Sequence, residues 1–118
     1  MILYVSGPYR GKSKIKLINR LQVIRNIINA RKVAKELWRM GYTVICPHLN
    51  SALMDGVTSD DRFLEGDIEI LQQCWGIVMI QGWQRSTGAL MELKDARQTG
   101  KKVFFWHDGQ LKGERLAC

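Results

Sequence analysis

The chain has 118 residues, 46% of them hydrophobic and 25% charged, with a formal net charge of +7. That composition suits one globular domain with one core, is too short for two, and contains no run long and apolar enough to cross a membrane. Its three cysteines (Cys46, Cys74 and Cys118) share no metal-type spacing, and their odd number argues against a disulfide framework.

With only His48 and His107 beside them, no zinc site and no cofactor is expected. The start, Met1-Ile-Leu-Tyr-Val, is too short for a signal peptide and runs straight into a turn, so a reducing cytoplasmic setting follows. Charge is unevenly spread. Residues 1–35 hold nine Lys/Arg and no acid, while residues 36–118 hold nine against eleven. Such a basic third either guides a phosphorylated small molecule, binds nucleic acid, or is the solvated face of a helix, which is the commonest case.

In chain order, Ile2–Val5 reads as a short buried strand closed by the turn Ser6-Gly7-Pro8-Tyr9-Arg10-Gly11. A basic connector, Lys12 to Lys16, leads into a long helix reaching about Met40. Val23, Ile27, Ala30, Ala34, Leu37 and Trp38 form its apolar face, and Gly41 ends it. Thr43–Cys46 is a second strand stopped by Pro47. From His48 to Ser59 the pattern is irregular, with Met54-Asp55-Gly56 its clearest turn. Ser59, Asp60 or Asp61 caps a helix to about Cys74, with a possible break at Gly66 and an inward stripe of Leu64, Ile68, Leu71 and Trp75. Gly76–Ile80 is the third strand. Ser86 or Thr87 caps the next helix, which ends near Gly100, and Lys102–Trp106 is the fourth strand before a polar arm from His107.

Strands alternating with helices predict an α/β fold: a doubly wound, Rossmann- or flavodoxin-like parallel sheet of four or five strands with helices on both faces. Ligands of such sheets sit beyond the carboxyl ends of the strands. That edge collects the Ser6–Gly11 turn, His48 and Asn50, the segment Trp83–Gly88, and His107 with Asp108. Ser86, Thr87 and Gly88 open a helix whose free amides and positive dipole end attract phosphate, and Gly88 lets a ligand approach the backbone. Arg10 carries a planar fork suited to phosphate, although the turn that holds it is neither a Walker loop nor G-x-G-x-x-G.

Two acids occupy unusual positions. Glu92 lies roughly 60° from the centre of the stripe Ala89, Leu93, Ala96 and Gly100, and Asp67 lies about as far off the stripe of its own helix. Either acid alone is explained by a cap or a salt bridge. Both together, on helices flanking one strand, suggest paired-carboxylate chemistry.

The order and spacing of Tyr4-Val-Ser-Gly-Pro-Tyr-Arg-Gly11, of Gly66-Asp67 followed by Leu71-Gln-Gln-Cys74, and of Ser86-x-Gly88-x-x-x-Glu92 resemble the nucleoside 2-deoxyribosyltransferase superfamily, nearly to Trp106. In motif detail the chain resembles the members that hydrolyse 2′-deoxynucleoside 5′-phosphates, and overall it resembles a bacterial and phage branch. The resemblance implies that Glu92 is the nucleophile on the anomeric carbon, that Asp67 handles the proton of the leaving base, and that Tyr4 holds carboxylate and sugar. It also implies a homo-oligomer, dimer or higher, with each site completed by a neighbouring subunit.

Transferases of the family carry an aspartate where this chain has Ser86. A hydroxyl there, with Arg10 and the amides of Gly7 and Gly11, favours a 5′-phosphate. Pro8-Tyr9 departs from the hydrolase pattern, so the sugar or base pocket is expected to differ there. Trp83 either stacks on the base or packs as a loop aromatic. The expected activity is cleavage or base exchange at the N-glycosidic bond of a (2′-deoxy)nucleoside 5′-monophosphate. The rivals are a nucleotide-binding module without turnover and a nucleic-acid-binding accessory protein.

Overall fold

The computed structural model describes residues 1–50, 54 and 56–114. Asp55, in the expected Met54–Gly56 turn, and Cys118 lie outside the described residues. Strand β1 (Ile2–Ser6) is followed by α1 (Lys16–Arg39), β2 (Thr43–Ile45), α2 (Pro47–Asn50), α3 (Asp60–Gln72) and β3 (Gly76–Met79). A 3₁₀ turn (Trp83–Arg85), α4 (Thr87–Gln98), β4 (Lys102–His107) and β5 (Gln110–Gly113) complete the order. The sheet runs β2-β1-β3-β4-β5, parallel throughout except for β5, which pairs antiparallel with β4. It is the α/β sheet expected from the alternation of elements.

Period-two alternation in the strands divides the core. Leu3, Val5, Val78 and Ile80 face α1, against its buried Ala30, Val33, Ala34 and Leu37. Tyr4, Ile77, Met79 and Val103 point to the other face, against Leu71 of α3 and Ala89, Leu93 and Ala96 of α4. Each fully buried Leu or Ile contributes about 1.5–3 kcal/mol, so both layers are needed to hold so small a sheet. Among the described residues, no helix is long and apolar enough to cross a membrane.

Local chemistry sets the ends. Gly41 (φ 97°) terminates α1 in the left-handed region that favours glycine. Ser59, of the three candidates, caps α3 by accepting from the Arg62 amide at 3.1 Å, and α3 continues unbroken through Gly66. Ser86, not Thr87, caps α4, accepting from the Ala89 amide at 3.2 Å.

Five expectations are corrected. The arm after His107 is a strand: Asp108 (φ 48°) and Gly109 (φ 73°) reverse the chain, and β5 returns along β4. Pro47 starts a helical turn, α2, rather than simply ending a strand, because proline at a first helical position loses no hydrogen bond. Residues 48–50 are therefore not irregular. Trp38 is exposed, because the buried arc of α1 centres on Ala30, Ala34 and Leu37. Trp75 lies past the end of α3 and packs on the opposite face of the sheet, its ring 5.7 Å from that of Phe104.

Candidate active site

Strand order reverses between β1 and β3: the chain leaves β1 towards β2 and returns on β1's other side. Loops leaving two such strands diverge, and the crevice between them is where open α/β sheets bind ligands. A cavity of about 690 Å³ occupies that place. Its walls come from the β1–α1 loop, from α3, and from the loop and first turns joining β3 to α4.

Glu92 is on its floor. The side chain is 7% exposed, although α4 would have carried it to solvent had it pointed away from the sheet. Tyr4 donates its phenol hydrogen to Oε2, and Ser6 donates to Oε1 at 2.9 Å. Tyr4 and Ser6 are two residues apart on β1 and therefore share a face, the one covered by α4. Burial pushes the Glu92 carboxyl up to about 7; the two hydroxyl donors oppose that rise, and the charge of Asp67 adds to it. Tyr4 is raised far above its usual range by burial and by Glu92, so it remains a neutral donor.

Asp67, on α3, lines the same cavity. Partial burial raises its carboxyl to about 6. With both acids raised, the pair shares about one proton between pH 6 and 7, and Glu92 holds it more often than Asp67; the form with Glu92 ionised and Asp67 protonated is the minor arrangement of that pair.

The anion-friendly end lies alongside. Ser86, Thr87 and Gly88 line the cavity at the start of α4, and the space beside Gly88 is open: a Cβ there would meet only Leu64 Cδ1, at 4.0 Å. Lys12 reaches the foot of that helix, its Nζ donating to the Arg85 carbonyl at 2.5 Å. Arg10 also lines the cavity but is paired with Asp60, which ties the first loop to the start of α3.

Gly7, Tyr9 and Gly11 line the same wall. The two glycines are required by packing as well as by any ligand. A Cβ on Gly7 would stand 2.3 Å from Ile80 Cγ1, and one on Gly11 would stand 2.4 Å from Asn19 Oδ1. His48 is buried at the cavity wall, with Nε2 3.0 Å from the Pro8 carbonyl and its ring edge-on to Tyr9 at 5.3 Å. Burial lowers its pKa, so the neutral ring braces the β1–α1 loop as a donor.

Four expected residues are not brought to this cavity. Asn50 sits at the end of α2 and lines a second, shallower groove with Arg62 and Glu69. His107 and Asp108 are exposed at the β4–β5 turn, at the end of a strand that lies beyond β3 and does not flank the crevice. Trp83 packs on Phe105 (5.4 Å between rings) and against the core beside α4.

Sequence reasoning missed Ser6 as a partner of Glu92, along with Lys12 and Gln22 on the cavity wall. Ser6 was discoverable, because strand alternation puts it on Tyr4's face. The other two depend on how the first loop and α1 approach the cavity, which has no local signature.

A family model described as a domain of unknown function, DUF4406, matches residues 1–105. No curated protein matches the chain. Among solved structures it is similar to a 2-deoxyribosyltransferase from the psychrotolerant bacterium Bacillus psychrosaccharolyticus, at 19% identity and a TM-score of 0.60, over 99% of this chain and 77% of that one. It is also similar to a 2-deoxyribosyltransferase from Leishmania mexicana, at 16% identity and a TM-score of 0.54, over 97% and 78%. At these identities the likeness is one of fold.

Proposed function

The chain belongs to the DUF4406 family, and on the deoxyribosyltransferase-like fold of that chain we propose an enzyme that cleaves or exchanges the N-glycosidic bond of a (2′-deoxy)nucleoside 5′-monophosphate. The observation that carries this reading is Glu92 buried at the cavity floor, with both carboxyl oxygens engaged by β1 hydroxyls and Asp67 lining the same space.

In the proposed reaction a Glu92 oxygen attacks the anomeric carbon. The carbon–nitrogen bond breaks, its electron pair goes to the base, and the proton on the Asp67 carboxyl goes to the departing nitrogen. A water, deprotonated by Asp67, then displaces Glu92 and releases the sugar phosphate; a second base in place of water gives exchange. Tyr4 and Ser6 hold the carboxylate in one orientation, so little reorganisation is left for the transition state.

The 5′-phosphate would sit on the first amides of α4 and the Ser86 hydroxyl, with Lys12 beside them. Arg10 would reach it by exchanging Asp60 for the phosphate. Gly88, Thr87 and the Gly7–Gly11 loop would wall the sugar, with Tyr9 and the His48 brace on the side towards β2. Ser86 is the residue that supports a phosphorylated substrate, since a carboxylate in its place would repel one.

The enzyme would work as a homo-oligomer in the cytoplasm. A reducing compartment fits Cys46 and Cys74, which are buried and unpaired, with the Cys46 thiol pushed up to about 11 by burial. The test is chromatographic. Incubation with a panel of nucleosides and nucleoside monophosphates should release free base from the phosphorylated deoxy compounds, and Glu92→Ala should end release while nucleotide still binds. Binding without release by the native chain would leave a nucleotide-binding module instead.

A further inference from the structure

The charged groups around the cavity are sorted by wall. Asp60, Asp61 and Asp67 come from α3, whereas Lys12, Arg25 and Arg85 come from the first loop, α1 and the 3₁₀ turn. Arg10 is tied to Asp60, but none of these three cations is in an ion pair among the described residues.

Helix α1 turns three polar residues to the cavity, and two of them are already employed. Gln22 Oε1 accepts from the amides of Lys12 at 2.8 Å and Ser13 at 3.2 Å, and Asn26 Nδ2 donates to the Tyr9 carbonyl at 3.1 Å. Those bonds fix the first loop to the helix, and Lys12 with it. The third residue, Arg25, has no side-chain partner among the described residues. Arg20 and Arg31 of the same helix are exposed and do not line the cavity. Arg25 differs in facing a concave space, where the field of several like charges is focused. Arg85 reaches towards the same loop: a Cβ on Gly82 would stand 3.5 Å from its Nη2 and 3.1 Å from the Pro8 ring.

A 5′-monophosphate brings about −1.5 to −2 charges at neutral pH. The start of α4, equivalent to about +0.5, and Lys12, whose Nζ contacts the Arg85 carbonyl next to Ser86 at 2.5 Å, answer most of that. Two guanidiniums are left over, and their planar forks suit phosphate oxygens. We propose that they form a seat for a second phosphate, so that the preferred substrates are the 5′-di- and triphosphates of (2′-deoxy)nucleosides. The proposal rests on the glycosidic reading for the direction in which the ligand lies. With the base at Asp67, the sugar at Glu92 and the first phosphate at Ser86, the rest of the phosphate chain runs to the wall made by Arg85 and Arg25.

Titration calorimetry tests this, using the full chain with Glu92→Gln to prevent turnover, in magnesium-free buffer. The ligands are the 5′-mono-, di- and triphosphates of deoxyadenosine, deoxyguanosine, deoxycytidine and thymidine. For the base that binds best, the diphosphate should bind on the order of 10-fold more tightly than the monophosphate, the gain of one charge-assisted contact. Added salt should shrink that preference. Arg25→Met with Arg85→Met should bring the ratio close to one. Both side chains are exposed, so the circular dichroism and melting temperature should stay those of the parent. Equal affinity for mono- and diphosphates overturns the proposal, as does a preference that survives the double substitution. A 5′-phosphorylated oligonucleotide bound more tightly than the diphosphate would assign the wall to a nucleic-acid strand and equally overturn it. A native chain that releases base from monophosphates but shows no diphosphate preference loses this inference alone, whereas one that binds no nucleotide loses the glycosidic reading as well.

Discussion

Replacing Glu92 by glutamine should stabilise the protein while ending its activity. The carboxyl is raised from 4.5 to about 7 by burial. A carboxyl raised on folding keeps its proton in the native chain at a pH where the unfolded chain has lost it. Native stability is therefore unaffected below about 4.5 and falls as pH rises from there to about 7. At 1.36 kcal/mol per unit the loss reaches about 3 kcal/mol above pH 7. Glutamine is uncharged at every pH and nearly the same shape. Its oxygen accepts from one hydroxyl and its amide donates to the other, since Tyr4 and Ser6 oxygens can accept as well. Allowing for imperfect geometry, Glu92→Gln should gain about 2 kcal/mol at pH 8 and nothing at pH 4, equivalent to a melting rise of about 5–10 °C in a domain of this size. The assay is thermal unfolding of both proteins from pH 4 to 9. Parallel melting curves across that range, or a variant less stable at pH 8, would refute the claim that this carboxylate is held in place against its own desolvation.

Base release should follow a narrow bell in pH, with limbs near the raised values of about 6 for Asp67 and about 7 for Glu92, because only the singly protonated pair can attack and donate; a rate flat from pH 5 to 9 contradicts this. Ser86→Asp should leave the melting temperature nearly unchanged, since aspartate caps a helix as well as serine does. It should weaken binding of nucleoside monophosphates at least ~10-fold relative to unphosphorylated nucleosides, as read by calorimetry. Gly7→Ala forces a Cβ to within 2.3 Å of the buried Ile80 side chain and should cost about 1–3 kcal/mol in denaturant unfolding.

Much of this molecule is written in local pattern. Alternation in Tyr4–Ser6 and in Gly76–Met79, the serine caps at Ser59 and Ser86, and the left-handed Gly41 each depend on a few neighbouring residues, so the order of elements, the parallel sheet and the crevice at its carboxyl edge could be read before any coordinates. Helical phase even drew attention to Glu92 and Asp67, because a position relative to an apolar stripe is a property of one helix. Phase alone could not say that Glu92 would meet two hydroxyls from a strand 86 and 88 residues away. That meeting depends on how α4 settles over β1, which only packing decides. The same holds for the errors. The segment after His107 lacks an apolar face, and it becomes a strand because β4 offers it an unpaired edge; His107 and Asp108 then sit in the turn of a hairpin beyond β3. Arg10, read as a fork suited to phosphate, is paired with Asp60 at the start of α3. Sequence determined the turns and helix starts that meet the ligand edge, since turns and caps are short-range, whereas tertiary structure alone decided which side chains reach the cavity and which of them touch, because desolvation and hydrogen bonding act across space between elements that are strangers in the chain.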